Sequence, residues 1–179
     1  MKYLNTFEFL SNEAQKKKIS CILIGGFAIN FYNVARQTVD VDFLITKNDF
    51  EKLLPALEEQ GYKVSAQSEV FINLESSDRH FLDLDYMLID QNVFDSIFKD
   101  AREVQISKEK FIVPSLNHLI ALKLHSIQGN PRRELKDLLD IVGLVQNNNV
   151  DVNSKSFEQL CLSYGNADLL KKIQNFMGK

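Results

Sequence analysis

The chain has 179 residues, 45% apolar and 25% charged, with a formal net charge of −3. That is enough for one well-packed domain or a small α/β domain with a helical appendage, and too little positive charge for a protein that coats nucleic acid. The first ten residues are too polar for a secretory core, no apolar run reaches membrane-spanning length, and Cys21 and Cys161 fit neither a disulfide framework nor a zinc spacing. The expected setting is therefore soluble, reducing and cytoplasmic.

In chain order, Tyr3, Phe7, Leu10 and Ala14 recur at helical spacing and stop at Lys16-Lys17-Lys18, whose charges offset the helix dipole. Cys21-Ile-Leu-Ile reads as a strand, Gly25-Gly26 as its sharp end, and residues 27–32 as a helix start. Valines and Phe43 then alternate with Thr38, Asp40, Asp42 and Leu44, the period of a half-buried strand. Asp40 and Asp42 thus share a face, with Cα atoms roughly 6.5–7 Å apart. Carboxylates held that closely repel unless a cation lies between them, and a hard, oxygen-seeking ion such as magnesium suits them.

Asn48 or Asp49 reads as the cap of the next helix, which carries Phe50, Leu53, Leu54 and Leu57 on one face and stops at Gly61. Pro55 inside it is expected to kink the helix or move its start later. Short strands at 62–66 and 70–74 lead to a longer one at 81–89. There Leu82, Leu84, Tyr86 and Leu88 form the apolar face, and Asp83 and Asp85 the other. A helix at 93–99 and β pieces near Val104 and at 111–113 follow. Beyond Pro114 the pattern is helical: 115–128, 132–146, 154–163 and 167–177, with Gly129-Asn130-Pro131 a turn and Asn147-Asn148-Asn149 a loop. The expected fold is α/β: a small mixed β-sheet with flanking helices over 1–113, then a C-terminal helical region, 114–179, closing a cleft.

A lone D-x-D is more often a solvated strand face than a site. Here it follows a strand–Gly-Gly–helix unit and is echoed by a second one-sided acidic pair. Gly25-Gly26 followed by Arg36-x-Thr38-x-Asp40-x-Asp42 resembles the nucleotidyltransferase signature of the DNA polymerase β-like superfamily, most closely its AbiEii/AbiGii-toxin-like branch. Gly26 departs from the commoner serine of that pattern. Asp85-Tyr-Met-Leu-Ile-Asp with Phe94 is similar to the strand bearing the third metal carboxylate. The segment from Val113 to Lys123, with Arg133-x-x-Lys136-Asp137-x-x-Asp140, is similar to the helical signature after the catalytic sheet. The resemblance spans roughly residues 20–145.

It implies a nucleotidyltransferase fold in which Asp40, Asp42 and Asp85 hold two magnesium ions, with Asp83 the alternative third acid. Gly25 and Gly26 would bring backbone N–H groups to a nucleoside triphosphate. The implied reaction moves a nucleoside monophosphate to an acceptor hydroxyl and releases pyrophosphate. The acceptor could be tRNA, a protein or a small molecule, and membership of the toxin branch adds an antitoxin partner.

Lys123 sits among Leu116, Leu119, Ile120, Leu124 and Ile127 on its helix. It must snorkel, find a buried anion, or line a polar cleft where it meets a nucleotide phosphate. Arg36 precedes the metal strand and is a candidate nucleotide contact. Thr38 shares the aspartates' face, where it can touch metal-bound water or phosphate, or serve β-propensity alone. Asp137 and Asp140 lie off the Leu135–Leu139–Val142 stripe and read as a solvated face. Zinc, P-loop and dinucleotide-cofactor signatures are absent. Two alternatives stand beside the enzyme: an inactive nucleotide- or partner-binding module of the same fold, and a nucleotide-sugar transferase using D-x-D.

Overall fold

The computed structural model describes residues 3–178; Met1 and Lys2, in the segment read as too polar for a leader, and Lys179 lie outside the described residues. The chain divides into two units, one of residues 3–28 and 37–114, the other of residues 29–36 and 115–178.

The first unit is built on seven strands: β1 (Ile22–Leu23), β2 (Asp40–Ile45), β3 (Tyr62–Gln67), β4 (Phe71–Ser76), β5 (Asp83–Leu88), β6 (Arg102–Ile106) and β7 (Glu109–Val113). They form one mixed sheet in the order β3-β4-β5-β2-β1-β7-β6. The β2–β5 and β1–β7 pairs are parallel, and the other neighbours antiparallel. Alternation decides which side is core. Val41, Phe43 and Ile45 of β2 and Leu84 and Tyr86 of β5 are buried. The Phe43 and Tyr86 rings stack 5.6 Å apart, and Phe50 meets Tyr86 edge-on at 5.2 Å. The apolar members, Val41, Phe43, Ile45 and Leu84, each contribute about 1.5–3 kcal/mol when fully buried.

Helix α1 (Thr6–Lys17) packs on β7 and on α3 (Lys47–Gln60), and α4 (Gln91–Lys99) follows β5. The cap of α3 is Thr46, whose hydroxyl accepts the Asp49 N–H at 3.3 Å, so the helix starts earlier than the sequence suggests. Pro55 lies inside it. Its nitrogen cannot donate to the Glu51 carbonyl, but both residues are on the exposed side, where water can serve that carbonyl. Helix α2 (Gly25–Asn30) is a six-residue turn.

The second unit holds α5 (Leu116–Gly129), a 3-10 turn at Pro131–Arg133, α6 (Glu134–Asn147), α7 (Lys155–Tyr164) and α8 (Ala167–Met177). α5 packs on α6 and α7, and α8 on the same two helices. The inward face of α6 differs from the expected stripe: Leu135 is 73% and Leu139 53% exposed, while Asp137, Leu138, Asp140, Ile141, Leu144 and Val145 are buried. Residues 29–36 lie against the end of α6. Asn147 Nδ2 donates to the Asn33 carbonyl at 2.5 Å, and Asn148 Nδ2 to the Tyr32 carbonyl at 2.8 Å. Val34 packs so near Gly143 that an added Cβ would stand 3.0 Å from it. The asparagine triplet is thus a clamp as well as a loop. Among the described residues no helix is long and apolar enough to cross a membrane.

Candidate active site

The acidic strands are neighbours. β2 and β5 run parallel and in register, pairing Asp40 with Asp83 and Asp42 with Asp85. Partners in a sheet point to the same face, and the buried pairs Val41–Leu84 and Phe43–Tyr86 occupy the other one. All four carboxylates therefore stand on one side of two adjacent strands.

Glycine closes one flank. The Ile24 N–H donates to the Asp42 carbonyl at 2.9 Å, which carries the β1–β2 pairing one residue further and delivers Gly25 beside Asp42. Gly25 has φ +63, and a Cβ there would collide with the Asp42 carboxylate. Only glycine accepts both demands. At Gly26 an added Cβ would stand 2.6 Å from Thr38 Cβ, a physical reason for glycine where the resembled pattern often has serine.

Each acid has its own neighbour. Thr38 lies before β2, not in it, and its Oγ1 donates to Asp40 Oδ1 at 2.6 Å. Asp42 rests against Gly25. Asp85 accepts a hydrogen bond from Asn73 Nδ2, and Asp83 Oδ1 accepts the Ser76 N–H at 2.9 Å. Among the described residues no three His, Cys, Asp or Glu side chains form a ready-made metal cage. The donor set nonetheless fits a hard divalent cation: carboxylate oxygens alone, from residues whose backbones are already adjacent. Asn73 was missed in the sequence, because its place opposite Asp85 depends on the β4–β5 register.

The basic residues form a different cluster, inside the second unit. Lys123 Nζ lies 2.8 Å from Asp137 Oδ1 and 2.8 Å from Asp140 Oδ2. Asp137 also accepts from Ser126 Oγ at 2.8 Å and Arg133 Nε at 3.0 Å, and Arg36 Nε lies 3.2 Å from Asp140. Burial pushes the Asp137 carboxyl up, but hydrogen bonds from Arg133 and Lys123 outweigh it and hold the group below its ordinary range. Of the three accounts open for Lys123, the structure displays the buried anion. The solvated face read for Asp137 and Asp140 is corrected, since both are buried. Lys123 and Arg36, expected as nucleotide contacts, both stand against these acids.

A mixed sheet flanked by helices in this way is the fold of solved nucleotidyltransferases. Within that class the chain belongs to the family described as "Uncharacterised nucleotidyltransferase", whose model matches residues 1–173. The fold is similar to ANT(2'')-Ia in complex with adenylyl-2''-tobramycin: TM-score 0.63, 14% identity, 87% of this chain and 92% of that one covered. It is also similar to the lincosamide antibiotic adenylyltransferase LnuA, lincomycin-bound, with TM-score 0.55, 16% identity and coverages of 76% and 92%. A third likeness is to an antigenic nucleotidyltransferase-like protein from Paracoccidioides brasiliensis, with TM-score 0.58, 16% identity and coverages of 94% and 87%. At these identities the likeness is one of fold. No curated protein matches the chain in sequence.

Proposed function

We propose that this chain transfers a nucleoside monophosphate from a nucleoside triphosphate to an acceptor hydroxyl, using magnesium held by Asp40, Asp42 and Asp85. The observation that carries this reading is the in-register pairing of Asp42 with Asp85 beside Gly25. Membership of the family supports nucleotidyl transfer in general. The acceptor oxygen bonds to the α-phosphorus, the bond from that phosphorus to the bridging oxygen breaks, and pyrophosphate leaves. Asp85 takes the hydroxyl proton and later passes it to water. Two magnesium ions, when bound, neutralise charge on the triphosphate and on the transferred group. Gly25 lets the Asp42 carboxylate lie against its backbone, where a Cβ would collide, and with Gly26 offers backbone to the triphosphate.

The acceptor class includes RNA, protein and small molecules. The adenylyl-tobramycin of ANT(2'')-Ia and the lincomycin of LnuA make the small-molecule arm worth testing first. The toxin-like branch, and with it an antitoxin partner, rests on the sequence resemblance alone. The test is incubation with α-labelled ATP, CTP, GTP and UTP, magnesium and a cell extract later separated into RNA, protein and small molecules. Label is expected in one fraction, and to be lost in Asp42→Asn and Asp85→Asn. Transfer undiminished in Asp42→Asn refutes the assignment. Magnesium-dependent triphosphate binding without any transfer favours the inactive binding module.

A further inference from the structure

We infer that Asn73 is a positioning residue for the third carboxylate, orienting Asp85 toward the divalent cation. The inference rests on the metal-dependent reading above. Asn73 lies on β4, directly opposite Asp85 across the antiparallel β4–β5 pair, and its Nδ2 donates to Asp85 Oδ1. The bond occupies one carboxylate oxygen and fixes the plane of the group, which directs the second oxygen. A ligating carboxylate commonly owes its orientation to such an outer partner, and removing one typically costs 10–100-fold in metal affinity or activity.

Strand alternation shows that Asn73 is not in place for packing. Ile72 and Leu74 beside it are buried in the core, whereas Asn73 is half-buried on the acid-bearing face, between exposed Phe71 and Glu75. Asparagine is depleted in strands, so its place at mid-strand calls for a partner. Asp85 supplies one. The contact also separates the two candidates for the third acid. Asp83, exposed at the start of β5, accepts the backbone N–H of Ser76 and so ties down the end of β4. Asp85 is held by a side-chain amide, a donor that leaves the strand pairing untouched.

The test uses the full chain and Mn2+ alone as probe, with free Mn2+ followed by electron paramagnetic resonance. Asn73→Val replaces the amide with a strand-compatible side chain that has no donor, and Asn73→Thr puts one hydroxyl on nearly the same shape as valine. The expected result is Mn2+ affinity about tenfold weaker in Asn73→Val and at least half restored in Asn73→Thr, with both variants melting as the wild type does. Wild-type affinity in Asn73→Val overturns the inference, and so does equal loss in both variants, since the donor would then not matter. Should either variant fail to fold, Asn73→Ser and Asn73→Ala are compared in the same way. Asp42→Ala serves as the separate control: if it binds Mn2+ as tightly as the wild type, the metal-dependent reading itself has failed, whatever Asn73 does.

Discussion

Replacing Lys123 by methionine distinguishes a buried structural cation from a phosphate ligand. Lys123 Nζ donates to two buried carboxylates at 2.8 Å each. Methionine keeps the apolar stem and removes both bonds. Asp137 retains Ser126 and Arg133, and Asp140 retains Arg36, so neither acid is left alone. Removing one member of a buried ion pair costs about 3–5 kcal/mol, and the surviving partners place this case near 3 kcal/mol. For a chain of this size that is a fall in Tm of about 8 °C. In urea the midpoint should drop with an unchanged slope. Asp140→Asn alone and with Lys123→Met completes a cycle, expected to show a coupling of at least about 1 kcal/mol. The pH dependence has a definite sign. Asp137 is held below its ordinary range, so its stabilising effect is present above about pH 4, the unfolded value, and is lost as pH falls toward the folded one. Lys123→Met weakens that depression, so the difference between wild type and variant should shrink under acid. A variant of wild-type stability that has lost triphosphate binding would refute the reasoning and restore Lys123 as a phosphate contact.

Gly26→Ala should destabilise by about 1–3 kcal/mol, through crowding of an added Cβ against Thr38 Cβ, and combining it with Thr38→Gly, which removes that atom, should cost clearly less than the sum of the two single changes in urea unfolding. Asn148→Ala removes donors from the Tyr32 and Leu144 carbonyls; a loss of about 1–2 kcal/mol and faster proteolysis within residues 29–36 are expected, and unchanged proteolysis counts against the clamp. Burial pushes the Cys21 thiol up to about 12, with Asp49 adding to the shift, and the Cys161 thiol up to about 11. Neither should react appreciably with iodoacetamide at pH 8 in the native protein, and both should react in urea, as read by mass spectrometry.

What the sequence determined by itself is what short-range periodicity encodes. Alternation about Asp40 and Asp42, and again about Asp83 and Asp85, put each acid pair on one face of a strand, since successive residues must point opposite ways. Gly25 was marked by its place between strand and helix, and the helix predicted at 167–177 is the one observed. Tertiary structure decided which strands met and in what register. A slide of β5 by two residues along β2 would have kept every side chain on its face but set Asp83, not Asp85, opposite Asp42, and nothing within either segment forbids that. The same long-range choice set Asn73 opposite Asp85. It also overruled the apolar stripe on α6: Leu135–Leu139–Val142 and the face bearing Asp137 and Asp140 are both periodic. The second face turned inward because Lys123 on α5 and Arg36 in the 29–36 segment supply the charges that make burying two aspartates tolerable.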